Sequence, residues 1–213
     1  GTLVVAYPEA TKVTQPKTVW RMASHNAGEY GSKLLAELLP RRKFPFPKSL
    51  FAVEDVLRFF TARSPDAVVL DFFAGSGTTA HAVMRLNRQD GGRRHAIVVT
   101  NNEVSPDEAK SLTEQGFRDG DPEWEALGIY EHITRPRITA AATGLTPDGT
   151  PIKGDYKFTD EFPMADGFEE NVEFVKLTYL DPVDVELERA FEAVAPLLWM
   201  RAGGHGAMVE RRA

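Results

Sequence analysis

The 213-residue sequence contains no cysteine. That excludes a disulfide framework, a thiol nucleophile and any zinc site built on thiolates. Long apolar runs are also missing: none approaches the roughly 20 residues that cross a bilayer, so no membrane role is expected. The five histidines, at positions 25, 81, 95, 132 and 205, show no H-x-x-x-H spacing. No metal site is expected, and each histidine reads as surface or strand packing. The remaining composition is globular, with 42% hydrophobic, 26% charged and 10% aromatic residues. It excludes a disordered tail or a collagen-like fibre. At this length the chain makes one domain, or one and a half.

The net charge of −6 covers an asymmetry. Residues 1–100 carry 14 Lys and Arg against 8 Asp and Glu, whereas residues 101–213 carry 11 against 23. Different partners for the two halves would explain this, and so would ordinary solvated surface. The chain opens on Gly1 instead of Met and runs at once into strand-like Leu3-Val4-Val5-Ala6-Tyr7, with no signal-peptide pattern. The expectation is that the natural protein continues upstream.

Leucines 34, 35, 38 and 39 recur at helical spacing until Pro40 stops the run. Phe44-Pro45-Phe46-Pro47-Lys48 must be extended, because each proline disfavours helix in the residue before it. Ser49 is placed to cap a helix over 50–62. Ala67 to Phe73 is a short continuous apolar run, read as a buried strand of a parallel sheet. Ala74-Gly75-Ser76-Gly77 forms a turn, Thr78 to about Asn87 a helix, and His95 to Thr100 a second buried strand. Strand, glycine turn, helix, strand is half of a doubly wound α/β sheet. Helices are expected over 106–115 and 122–142, the latter kinked or split by Pro136. A strand over 171–180 and an amphipathic helix over 182–200 follow. Trp20, Trp124 and Trp199 read as core anchors. With no repeat, low-complexity tract or clear linker, one compact unit is the simplest reading.

Gly75-Ser76-Gly77-Thr78-Thr79-Ala80 fits G-x-G-x-x-G/A between strand and helix. Glycines there permit a tight turn, and the helix N-terminus presents free N–H groups. A P-loop is excluded, since no lysine follows the second glycine. A nicotinamide-binding turn would need an acidic residue after the second strand, and Glu103 could serve. Asp71 favours a third reading. A carboxylate closing the strand beside the turn suits a cationic ligand, such as the ammonium of S-adenosylmethionine. The turn would admit the methionine chain, and Asn101, Asn102 and Glu103 would face the ribose hydroxyls. A plain anchoring role for Asp71 at the helix start is the structural alternative. Phe72 and Phe73 read as core or cofactor wall.

The run Val69 to Val83, with Asp71-Phe72-Phe73-Ala74-Gly75-Ser76-Gly77-Thr78-Thr79 at its centre, resembles the cofactor motif of β-class DNA amino-methyltransferases. It is most similar to the methylation subunits of type III restriction–modification systems. Phe44 to Leu50, Asn26-Ala27-Gly28, Arg93 to Val99 and Ile129 to Ile138 extend the resemblance over roughly residues 18–145. Gly167 to Gly203 is similar in a less distinctive way.

The resemblance implies a partial Rossmann-like α/β methyltransferase fold, with a cofactor-binding region over 1–145 and an acidic α+β extension over 146–213 packed on it. It implies S-adenosylmethionine as cofactor and transfer of its methyl group to N6 of an adenine flipped from double-stranded DNA. It also implies a cytoplasmic protein, with a restriction subunit and a second copy of the chain as candidate partners. Lys48, Asp71, Phe72, Phe73, Gly75, Gly77, Thr78, Thr79, Asn101, Asn102 and Glu103 would surround the cofactor. Lys48 would reach the cofactor carboxylate, as the matching family segment does, although a surface lysine is a real alternative. The family's catalytic Asp/Asn-Pro-Pro-aromatic tetrapeptide is absent; Asp121-Pro122-Glu123-Trp124 and Asp181-Pro182-Val183 lack its second proline. No catalytic residue is therefore assigned, and the chain alone is expected to be inactive. Two other classes stay open: a nicotinamide-linked half-domain, and a non-catalytic module docking through its acidic half. Arg41-Arg42-Lys43 suits DNA phosphates or a solvated loop equally.

Overall fold

The computed structural model describes residues 19–177, 181–186, 191–204 and 206–208. The strand-like segment at residues 3–7 and His205 lie outside them. Two compact units result, Gly1–Val172 and Glu173–Ala213, where the sequence pattern had suggested one.

In the first unit a π-helical turn, Gly28–Lys33, runs into α1 (Leu34–Leu38). Leu34, Leu35, Leu38 and Leu39 are all buried, as their spacing requires. Each such side chain contributes about 1.5–3 kcal/mol on leaving water. The proline-rich segment stays non-helical, and α2 (Leu50–Thr61) begins where Ser49 predicts. The Ser49 hydroxyl accepts the Ala52 N–H at 3.4 Å.

β1 (Val68–Asp71), α3 (Thr78–Asp90) and β2 (His95–Val98) form the strand–helix–strand unit. The strands are parallel, with Val68 opposite His95 and Leu70 opposite Ile97. This small parallel pair with surrounding helices is compatible with an α/β methyltransferase fold; among the described residues no further strand joins it. The expectation of buried strands is corrected. Both strands alternate between exposed and half-buried residues, and Val68, Leu70 and Ile97 are at least half exposed. A parallel pair is buried only when a layer covers each face. Here α3 packs on β2, and the face carrying Leu70 and Ile97 is left open.

α4 (Pro106–Glu114) starts at Ser105, whose hydroxyl accepts the Glu108 N–H. The expected 122–142 helix is divided into α5 (Pro122–Glu125), a π-helical turn at Tyr130–Thr134 and α6 (Arg135–Thr143). Pro136 follows closely on the π-helical turn, at the point where the backbone changes to the α-helical pattern of α6.

After α6 the chain folds back under α3. Ile152, Tyr156, Phe162, Met164 and Phe168 are buried, and the Tyr156, Phe162 and Phe168 rings pack together, with His81 of α3 against Tyr156 and Phe168. His81 is fully buried, so it belongs neither to the surface nor to a strand. Between α2 and α3 the interior is polar. Arg85 donates from Nε to Glu54 at 2.6 Å, and Glu54 also accepts from Gln89 and Arg58. The Arg85 guanidinium lies over the Phe51 and Tyr156 rings.

Across the boundary between the units, residues 171–177 form no strand; 178–180 fall outside the described residues. Alternation alone does not make a strand without a neighbour to pair with. α7 (Pro182–Glu186) and α8 (Phe191–Arg201) occupy the expected helical stretch. Trp199 of α8 donates to the Gly206 carbonyl at 3.1 Å. All three tryptophans are half-buried and not core anchors.

Candidate functional site

The parallel register brings the turn after β1 beside the loop after β2. The Ala74 N–H donates to the Val99 carbonyl at 3.0 Å, and the Val99 N–H to the Asp71 carbonyl at 2.8 Å. Gly75 and Gly77 have φ of 51° and 77°, the left-handed region that side-chain-bearing residues avoid. At Gly77 a Cβ would also stand 3.2 Å from Ile138. The turn therefore needs its glycines for backbone conformation and for close approach.

Asp71 spans the turn. One carboxylate oxygen accepts the Phe73 N–H at 3.0 Å and the other the Thr79 hydroxyl at 2.6 Å. Asp71 thus does anchor the start of α3. Among the described residues each oxygen has one partner, and since an ionised carboxylate offers about four acceptor positions, capacity remains for a ligand. Phe72 and Phe73 are exposed, Phe73 to 91%, so neither is core. The Phe44 ring reaches to 3.7 Å from the Cβ position of Gly75, which brings the proline-rich segment to the turn; Lys48 is exposed. Thr78 is buried, and its hydroxyl meets Ser76 and Arg137. It faces inward.

On the second loop Asn101 and Glu103 are exposed, joined by a 3.4 Å hydrogen bond. Asn102 is committed to the protein. Its amide donates to the Glu125 carbonyl and carboxylate, and its oxygen accepts the Glu131 N–H at 3.0 Å. An open depression lined by Pro122, Glu125, Ala126 and Glu131 adjoins it.

Sequence reasoning missed the residues beneath the turn. Thr134 donates to the Gly75 carbonyl at 2.6 Å, and Arg137 to the Ser76 and Thr78 hydroxyls at 2.8 and 2.7 Å. The available signal was an arginine at i+3 from Thr134 and next to Ile138, on the inner face of a helix. In the basic triplet, Arg41 pairs with Asp148 and Arg42 donates to the His132 carbonyl. Burial, and then the Arg42 charge, lowers the His132 pKa. Among the described residues no cluster could hold a metal ion, and no helix is long and apolar enough to cross a membrane.

Residues 6–160 match the DNA methylase family. The chain belongs to that family. It is 32% identical over 154 residues to the type III restriction-modification enzyme StyLTI Mod subunit of Salmonella typhimurium, covering 72% of this chain and 21% of the relative. It is 36% identical over 124 residues to the EcoPI Mod subunit of Escherichia phage P1, covering 58% of this chain and 17% of the relative. Over 96 residues it is 35% identical to the type II methyltransferase M.KpnI of Klebsiella pneumoniae, covering 45% and 22%. The chain thus spans about a fifth of the length of these relatives. The DNA methylase match includes β1, the glycine turn, β2 and α6, the elements that build the site.

Proposed function

We propose that this chain is the S-adenosylmethionine-binding portion of a site-specific DNA methyltransferase acting on adenine N6. The observation that carries the reading is Asp71, a half-buried carboxylate with spare acceptor capacity beside a glycine turn at the end of β1. The residues fit such a cofactor. Asp71 would hold its ammonium, the Gly75 and Gly77 backbone its methionine chain, and Asn101 and Glu103 its ribose hydroxyls. Phe72 and Phe73 would cover it, Lys48 would approach its carboxylate, and Thr79 and Asn102 would keep the cradle in shape, with Thr78 holding the turn from beneath. When bound, the cofactor supplies an electrophilic methyl group. The chain itself orients the ligand and excludes water from one side.

The functional division lies near 145/146, with the acidic 146–213 as an extension. No Asp/Asn-Pro-Pro-aromatic tetrapeptide occurs in the sequence, so on this reading the chain alone transfers no methyl group. The DNA-contacting half and any restriction subunit or second copy would act together with it in the cytoplasm, and Lys43 of the basic triplet remains available for a phosphate. Calorimetric titration tests the reading. S-adenosylmethionine should bind the 213-residue chain and NADH should not. Tight NADH binding, or methylation of adenine by the purified chain, would overturn it.

A further inference from the structure

One face of a single helical segment grips the glycine turn from below. Thr134 donates to the Gly75 carbonyl, Arg137 donates to Ser76 and Thr78, and Ile138 fills the space beside Gly77. Positions i, i+3 and i+4 share one helical face, so the four consecutive residues Gly75 to Thr78 are held by one surface. The same segment holds the second loop. The Ile129 N–H donates to the Glu103 carbonyl at 2.9 Å, and the Glu131 N–H to the Asn102 side chain.

Arg137 is the unusual member. Its side chain is fully buried, and among the described residues its hydrogen-bond partners are all neutral and its Nε and Nη2 have no partner. Burial pushes its pKa down to about 10. A buried guanidinium without a carboxylate is expensive to keep, and an apolar side chain would fill the same space at lower cost. What an apolar side chain would not supply is the grip on the Ser76 and Thr78 hydroxyls.

We propose that Arg137 is a positioning residue: its guanidinium fixes the Gly75–Thr78 turn in the conformation that accepts the cofactor, without touching the ligand. This rests on the cofactor reading above. The competing role is plain core packing.

The test uses the full chain as Arg137→Met and Arg137→Lys. Met164→Ala, a buried position away from the turn, serves as a control for lost stability. Melting temperature, amide hydrogen exchange at residues 75–78 and S-adenosylmethionine affinity are measured for each. For Arg137→Met, affinity should fall at least tenfold and exchange in the turn should quicken at least tenfold. Arg137→Lys should recover part of both, because an ammonium can still serve one hydroxyl. Met164→Ala should melt earlier yet leave both unchanged. Unchanged exchange and affinity in Arg137→Met, or equal losses in Met164→Ala, would overturn the proposal. Should Arg137→Met not fold, Arg137→Lys decides: a two- to tenfold weakening supports the role and no change refutes it. If the unaltered chain takes up no cofactor, the cofactor reading fails, and exchange in the turn still decides whether Arg137 sets its conformation.

Discussion

The segment that leads into α3 and the inner face of that helix treat polar groups in opposite ways. At the N-terminal end, Asp71 keeps acceptor capacity in reserve and Phe72 and Phe73 stand in solvent. Along the inner face, His81 and Arg85 are buried and both are engaged: His81 with the Tyr156 hydroxyl at 2.7 Å and Arg85 with Glu54. One end keeps acceptor positions unfilled by the described residues, and the other is nearly complete in itself. Changes on the inner face should therefore cost stability, and changes at the end should cost ligand affinity.

Glu54→Ala should have the largest effect on stability. It leaves the Arg85 guanidinium buried without its partner, which typically costs about 3–5 kcal/mol; urea melts measure it. Where the variant is folded, cofactor affinity should be unchanged. A loss below about 1 kcal/mol would mean that the inner face is not the stabilising region.

Gly77→Ala comes next. Its φ of 77° and the Ile138 side chain at 3.2 Å predict about 1–3 kcal/mol of strain, together with weakened ligand binding. This position joins the two regions, so both readouts should move. A neutral outcome would mean that the turn links neither stability nor ligand binding to the Gly77 conformation.

His81 supplies a pH test. Burial first, and then the charges of Arg137 and Arg85, hold its pKa well below 6.5 in the folded chain. Above about pH 6.5 its contribution is fully present. As pH falls below 6.5 the unfolded chain takes up a proton that the folded chain refuses. Stability should then drop by at most about 1.4 kcal/mol per pH unit. His81→Gln keeps a hydrogen-bonding group for Tyr156 but not the titration. Melts at pH 7, 6 and 5 should therefore diverge between the two proteins, and parallel profiles would contradict the assignment.

Asp71→Asn should have the smallest effect on stability, within about 0.5 kcal/mol, because an amide oxygen can still accept the Phe73 N–H. Its cofactor affinity should nevertheless fall about tenfold or more, equivalent to about 1.4 kcal/mol. A large stability loss with unchanged affinity would make Asp71 the anchor and nothing else.

What could be read from the sequence follows the range of the interactions. Ser49 caps α2 three residues away, the leucines of α1 lie within two turns, and the glycine turn sits between its own strand and helix. Each was legible because the decisive neighbour is close in sequence. Tyr156 meets His81 across 75 residues, and Arg137 meets Ser76 across 61. No local pattern announces either. The apolar run in β1 signalled burial, but burial depends on whether a layer covers the face, and Leu70 and Ile97 are left open. The anchoring of the helix start by Asp71 was legible, because Phe73 and Thr79 lie close in sequence; the bonds of Asn102 to Glu125 and Glu131 span more than 20 residues and were not.

On the function proposed above, the glycine turn after β1 is the cofactor site. A two-dimensional amide NMR titration of the full chain with S-adenosylmethionine tests it most directly. The Gly75, Gly77 and Asn101 resonances should shift together and saturate at one affinity, while Gly116 and Gly149, away from the turn, stay still. Saturable shifts elsewhere with Gly75 and Gly77 unmoved, or no shifts at all, would contradict it.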